Sequence, residues 1–264
     1  MQHVVFNQKG GVGKSTITCN LAAISASQGL RTLVIDLDSQ GNSSRYLLGA
    51  EAPADLPNVA EFFEQSLKFT IRDKAAAEYI VHTRWEGLDL MPSSPTLDEL
   101  HGKLESRHKI YKLRDALEVL AKDYDQIYID TPPALNFYTR CALIAAQGCL
   151  IPFDCDDFSR RALYTLLDNV EEIKADHNAH LHVEGIIVNQ FQPRANLPQR
   201  MVQELIDEGR PVLQPYLSAS VKIRESHEAA TPMIFLEPKH KLTLEFVALH
   251  DALIAKAGKK KKTK

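Results

Sequence analysis

Residues 3–16 read HVVFNQKGGVGKST. An apolar run, Val4-Val5-Phe6, enters a glycine-rich turn and then a helical pattern over residues 14–28. Strand, glycine loop and helix in that order form the setting of a phosphate loop. Its backbone N–H groups face inward around the phosphates, and the helix adds its positive end. The usual pattern is G-x-x-x-x-G-K-[ST]. Gly13-Lys14-Ser15 fits its end, but Gln8 stands where the first glycine should be, and a second lysine, Lys9, lies five residues before Lys14. Gly10, Gly11, Val12 and Gly13 are expected to wrap a triphosphate, with Lys14 bridging its β and γ groups. The Ser15 hydroxyl suits Mg²⁺, and Thr16 reaches toward the α phosphate.

Outward from this loop, apolar runs alternate with helical patterns. Residues 3–7, 32–38, 88–94, 126–131, 149–153 and 183–191 read as strands, nearly continuous in Val, Ile and Leu, as strands buried on both faces are. Helical patterns fall near 14–28, 57–67, 96–122, 135–147, 158–176, 197–208 and 239–256, with a long loop over 50–58. The alternation predicts an α/β fold: a doubly wound, mostly parallel sheet with helices on both faces. Residues 1–256 read as one domain, and 257–264 as a basic tail with nothing apolar to pack and an expectation of disorder.

Composition is that of a globular protein: 264 residues, 44% hydrophobic and 25% charged. No long apolar run suggests a membrane span and no leader is recognisable, so the cytoplasm is the expected compartment. Cys19, Cys141, Cys149 and Cys155 lack C-x-x-C spacing and read as small buried hydrophobes. The formal charge of −3, which becomes −8 without the five lysines of the tail, argues by itself against a constitutive nucleic-acid binder, while the tail would strengthen any attraction to nucleic acid nonspecifically.

Two further segments carry carboxylates. In LVIDLDSQGN an apolar strand delivers Asp36 and Asp38 to the carboxyl edge of the sheet, where doubly wound folds bind ligands. There they could orient a water or hold metal-bound waters, or only end the strand and cap a turn. In YDQIYIDTPPA the strand closes on Asp130, the usual place of the carboxylate that partners a phosphate loop for Mg²⁺, although strand-ending turns share that pattern.

Together KGGVGKST, DLDSQGN and YIDTPPAL resemble the ParA/MinD class of deviant-Walker ATPases, and the short ParA/Soj-type partition proteins in particular. The likeness extends through LDLMPSS, GIIVNQFQPRANL, SVKIRES and TPMIFLEPK, nearly the whole chain. The resemblance implies ATP and Mg²⁺ as cofactors, slow hydrolysis, and an ATP-state homodimer in which Lys9 reaches the partner's phosphates while Lys14 serves its own. The alternative is that Lys9 rests on its own phosphates or in solvent. By the same resemblance Asp38 supports hydrolysis, Asp130 is the Walker B residue and Asn189 meets the base. Ser39, where the family usually has proline, and Thr131, where cysteine or alanine is commoner, depart from the pattern without removing a charged or ligating group.

The resemblance further implies nonspecific DNA binding on the nucleoid through Lys222, Arg224, Arg194 and Arg200, directed at phosphates and steep in salt, and a ParB-like activator or cargo adaptor. Two other functions are compatible with the motifs: a MinD-like membrane-positioning ATPase, and a metabolic enzyme that uses ATP. The apolar stripe Leu242, Phe246, Leu249 and Leu253 in the last helix reads more simply as packing than as a membrane anchor. HNAHLH (His177, His180, His182) is spaced too unevenly for a metal site and reads as a polar loop.

Overall fold

The computed structural model describes residues 1–53, 55–68, 73–155 and 159–262. Its sheet has seven strands: β1 (Gln2–Val5), β2 (Thr32–Asp36), β3 (Val81–His82), β4 (Leu88–Met91), β5 (Gln126–Asp130), β6 (Gly148–Asp154) and β7 (His182–Asn189), in the order β3-β4-β2-β5-β1-β6-β7. The ladders are parallel except at the edge, where β3 runs antiparallel to β4. The expected doubly wound sheet is therefore present. The two-residue β3 was not anticipated, because so short a strand shows no alternation.

Residues along the strands alternate between two cores. Val4, Leu33, Ile35, Ile127, Ile129, Ile151 and Val188 face one, and Val5, Val34, Tyr128, Leu150 and Ile187 face the other. A strand that buries both faces has apolar residues at every position, which accounts for the unbroken runs in the sequence.

The helices are α1 (Lys14–Ser27), α2 (Asn42–Leu48), α3 (Val59–Glu64), α4 (Leu97–Ser106), α5 (Lys112–Leu120), α6 (Phe137–Ala145), α7 (Ser159–Asp176), α8 (Asn196–Asp207), α9 (Lys222–Glu228), α10 (Met233–Leu236) and α11 (Lys241–Lys262). Helix α1 is buried continuously from Ile17 to Ala26, as befits a helix with no polar face. Leu242, Phe246, Leu249 and Leu253 of α11 pack into the same core as α1, so the stripe is turned inward.

One expectation needs correction. The single helix expected over 96–122 is two, broken where His108 takes a left-handed conformation (φ 53°). The His108 and Lys109 N–H groups there donate back to the Glu105 and Leu104 carbonyls, closing α4 without the glycine that would have advertised the stop. Helix α11, expected over 239–256, spans Lys241–Lys262. Alanine and lysine are good helix formers, and a helix already nucleated by packed turns extends at little cost. Thr263 and Lys264 lie outside the described residues.

Candidate functional site: the phosphate loop and its carboxylates

Strands β1, β2 and β5 are neighbours at the centre of the sheet, so their carboxyl ends bring the glycine loop, Asp36 and Asp130 together. The loop is pinned at its start. Asn7 Nδ2 donates to the Pro152 carbonyl at 2.7 Å, tying it to β6, and Asn7 Oδ1 accepts from the Lys9 N–H at 2.8 Å. Gly11 and Gly13 both have positive φ, 76° and 88°. At Gly13 there is a second constraint: an added Cβ would lie 2.4 Å from Asn189 Nδ2. The absent first glycine, at Gln8, precedes the positive-φ turn and is not missed by it.

Lys14 is 6% exposed. Its Nζ donates to the Lys9 carbonyl at 3.2 Å, which holds the ammonium folded back over the loop. Burial pushes its pKa down, while the nearby charges of Asp130 and Asp38 resist the shift. An ammonium desolvated in this way gains most from an anionic ligand.

The carboxylates divide by surroundings. Asp130 is fully buried, with Ser43 Oγ donating to it at 2.7 Å and the Ser15 hydroxyl also hydrogen-bonded to it. Asp36 is its register neighbour on β2 and is also fully buried. Burial, reinforced by the mutual repulsion of this pair, raises the pKa of Asp36, and burial raises that of Asp130. Asp36 was expected among the metal groups, but both its oxygens are already engaged. Oδ2 accepts from the N–H and Oγ of Ser44 at 2.8 and 2.7 Å, and Oδ1 accepts from the Asp38 N–H at 3.2 Å. It fastens the start of α2 to the sheet and does not line the cleft. Asp38 does line the cleft, 6% exposed, with Oδ1 accepting from the Gln40 N–H at 3.1 Å. Its backbone is fixed by Ser93 Oγ, which donates to the Asp38 carbonyl at 2.5 Å.

A divalent cation fits this arrangement. The Ser15 hydroxyl stands in the cleft and is hydrogen-bonded to a fully buried carboxylate behind it, Asp130, the donor set of hydroxyl and carboxylate oxygens that a hard cation takes. Thr131, one of the departures from the resembled pattern, donates through Oγ1 to the Val5 carbonyl at 2.8 Å and locks the ends of β1 and β5 together.

Two clefts meet at the loop. One, of about 370 Å³, is lined by Gly10, Lys14, Ser15, Thr16, Asp38 and His227. The other, of about 450 Å³, lies beside Gly11, Gly13 and Asn189 and is closed by Ser220, Val221 and Phe246. Triphosphate in the first and base in the second would suit their linings. Asn189 Nδ2 donates to the Val12 carbonyl at 3.0 Å, so the expected base contact also braces the loop. The far wall is set by Glu245, which accepts from the N–H and Oγ of Ser218 at 2.8 and 2.7 Å.

The residues expected to meet DNA lie on three elements. Lys222 and Arg224 are on α9, Arg194 is in the turn after β7, and Arg200 is on α8. Lys222 is ion-paired with Glu225 at 2.7 Å and Glu237 at 3.6 Å, and Arg200 with Glu204 at 3.8 Å. Arg194 and Arg224 are exposed and, among the described residues, have no acidic partner. His177 is hydrogen-bonded to Tyr111, and no metal-binding group of His, Cys, Asp or Glu occurs among the described residues. No described helix is long and apolar enough to cross a membrane.

Sequence reasoning missed His227. It is hydrogen-bonded to Thr16 across 211 residues of chain at 2.9 Å and stacks on Tyr46. It sits one residue past SVKIRES, a segment marked only for its basic residues, and no local pattern distinguishes it.

Comparison with known proteins agrees with this geometry. A family model described as an AAA domain matches residues 2–183. The chromosome partitioning protein ParA of Myxococcus xanthus is 33% identical over 93% of this chain and 84% of its own length. The sporulation initiation inhibitor protein Soj of Bacillus subtilis is 30% identical over 89% of this chain and 90% of its own. Among solved structures, cobyrinic acid a,c-diamide synthase from Mycobacterium smegmatis, with bound ATP analog and magnesium, superposes with a TM-score of 0.80. It is 27% identical and covers 96% of this chain and 93% of its own.

Proposed function

The chain belongs to the ParA/MinD family of P-loop ATPases, and from that premise we propose that it is an ATP-dependent dimerising switch. In this reading it binds DNA without sequence preference and hydrolyses ATP slowly to segregate or position DNA or another cargo. The observation that carries the reading is the likeness to ParA and Soj over nearly the whole chain, which takes in the segments outside the nucleotide site.

Each residue has a task in this cycle. The loop N–H groups from Gly10 to Gly13 and the Lys14 ammonium hold the β and γ phosphates, and Thr16 receives the α phosphate. Ser15 would hold Mg²⁺, with Asp130 as the buried carboxylate behind, and the ion would supply neutralisation of phosphate charge. Asp38, in the cleft and fixed by Gln40 and Ser93, positions the attacking water. Lys9 completes the partner's site, so that two triphosphates can be buried face to face and association follows the γ phosphate. Arg194 and Arg224 are the stronger candidates for DNA phosphates, because Lys222 and Arg200 already have acidic partners. A ParB-like partner would accelerate hydrolysis and release the dimer.

The test is binding to nonspecific duplex DNA without nucleotide, with ADP and with ATP–Mg²⁺, at two salt concentrations. It compares the wild type, Lys9→Ala and a chain lacking residues 259–264. The reading expects ATP-dependent, salt-sensitive binding that Lys9→Ala abolishes and the truncation preserves. Binding indifferent to nucleotide would reduce the DNA contact to the lysine tail. A second reading, a metabolic enzyme that uses ATP, is favoured by the likeness to cobyrinic acid a,c-diamide synthase. It expects turnover that depends on a small acceptor molecule and is indifferent to DNA.

A further inference from the structure

Residues 222–236, carrying α9 and α10, form a strap across the amino end of α1. Two fixed points hold it. The Ser226 hydroxyl is hydrogen-bonded to the Tyr46 hydroxyl and donates to the Thr231 carbonyl at 2.5 Å, closing the turn after α9. The Met233 N–H donates to Asn20 Oδ1 at 2.9 Å, and Asn20 Nδ2 donates to Tyr46 at 3.2 Å, so α10 is held by the same pair. Both anchors are buried side chains that do not line the phosphate cleft, although Asn20 Nδ2 also donates to the Thr16 carbonyl at 2.9 Å.

His227 is different. Its ring lies flat on Tyr46, with centroids 4.0 Å apart and planes 18° apart, yet it remains exposed and lines the cleft that holds Lys14 and Asp38. Its Nε2 is 2.9 Å from Thr16 Oγ1, a residue of the phosphate loop itself. The Thr16 hydroxyl has one proton. While it donates to His227, Nε2 must be an unprotonated acceptor; once it donates to a phosphate oxygen, the hydrogen bond survives only if Nε2 carries a proton and donates. Phosphate, threonine and imidazole then form a chain in which each bond polarises the next.

We infer that His227 is a positioning residue that ties α9 to the phosphate loop through Thr16, so that nucleotide at Thr16 and the docking of α9 are coupled. The coupling is reciprocal: a nucleotide that orients Thr16 steadies α9, and a steadied α9 favours the nucleotide. The inference rests on the nucleotide site alone and goes beyond the DNA reading. If Arg224 of α9 does meet DNA, the same contact gives that residue a direct link to the phosphates.

Hydrogen exchange of the full chain with and without ADP–Mg²⁺, together with ADP titration, tests it. In the wild type, ADP–Mg²⁺ should slow exchange in both the phosphate loop and residues 222–228. In His227→Ala the loop should still be protected, the response of 222–228 should vanish, and ADP should bind about fivefold more weakly, the worth of one hydrogen bond. His227→Gln, which restores an amide donor at similar reach, should recover part of both. A purely structural role for His227 would loosen α9 with or without nucleotide and leave its response intact, and that result overturns the coupling. An α9 that ignores ADP in the wild type overturns it as well. Should His227→Ala fail to fold, His227→Asn, too short to reach Thr16, must show the same pair of losses. Failure of the DNA reading would appear separately, as absent DNA binding beside an intact exchange response.

Discussion

Gly13→Ala is the substitution with the most fully determined outcome. Alanine at φ 88° occupies the left-handed region, which costs about 1–2 kcal/mol for a residue with a Cβ. The new methyl would also stand 2.4 Å from Asn189 Nδ2, closer than real contacts allow. The amide is a flexible group and can swing aside, but it then gives up its 3.0 Å bond to the Val12 carbonyl, worth about 1 kcal/mol. The expected loss in the nucleotide-free protein is therefore about 2–3 kcal/mol. Asn189→Ala removes the same hydrogen bond by itself and should cost about 1 kcal/mol. In the double variant the bond can be lost only once, so the pair should fall short of additivity by about 1 kcal/mol. Urea unfolding of the four proteins at one temperature measures this. Strict additivity, or a Gly13→Ala protein within about 0.5 kcal/mol of the wild type, would refute the claim that Asn189 is packed against the loop as described.

Further outcomes follow from the same geometry. Asp38→Ala should lower steady-state ATP turnover about 10²–10⁴-fold with ATP affinity held within a few-fold, if Asp38 positions water instead of binding phosphate; a titration showing loss of affinity alone would contradict that role. Burial raises the pKa of Asp36 and of Asp130 above the range near 4 at which the unfolded chain ionises, so the folded protein withholds protons that the unfolded chain releases. Stability of the nucleotide-free form is thus whole in acid and falls as pH rises past that range toward neutrality. The slope is at most about 1.4 kcal/mol per pH unit for each proton withheld, and unfolding curves from pH 4 to 8 with no descending limb would oppose it. Phe246→Ala should cost about 3–5 kcal/mol, because Phe246 is 1% exposed in the core shared with α1; a denaturation midpoint near the wild type's would show that α11 does not cover that core.

The sequence discloses those parts of the site whose chemistry and spacing are local. The turn from Gly10 to Thr16 is contiguous, and Asp130 is announced by the strand that it ends. Asp36 shows the limit. Pattern alone cannot tell a carboxylate that faces a cleft from one turned toward the following helix, and the Ser44 donors that claim Asp36 lie eight residues on, in a helix too short to show periodicity. His227 and Tyr46 were invisible for a related reason: stacking between distant segments leaves no trace in either one. The break at His108 was hidden because a histidine took the left-handed position that glycine usually marks. The sheet, by contrast, was legible throughout its parallel strands, since burial on both faces constrains every residue.

The position of β1 has a consequence for the order in which the molecule can be made. The strand precedes in the chain both of its neighbours in the sheet, β5 and β6, which end at residues 130 and 154. A nascent chain therefore holds its nucleotide-binding segment without both flanking strands until residue 154 has been synthesised, and α1 lacks its cover from α11 until residues 241–262 emerge. Pairings this distant in sequence close slowly, and the apolar strand and helix wait exposed meanwhile. A truncated product released early would carry the glycine loop intact and be unable to hold a phosphate with it.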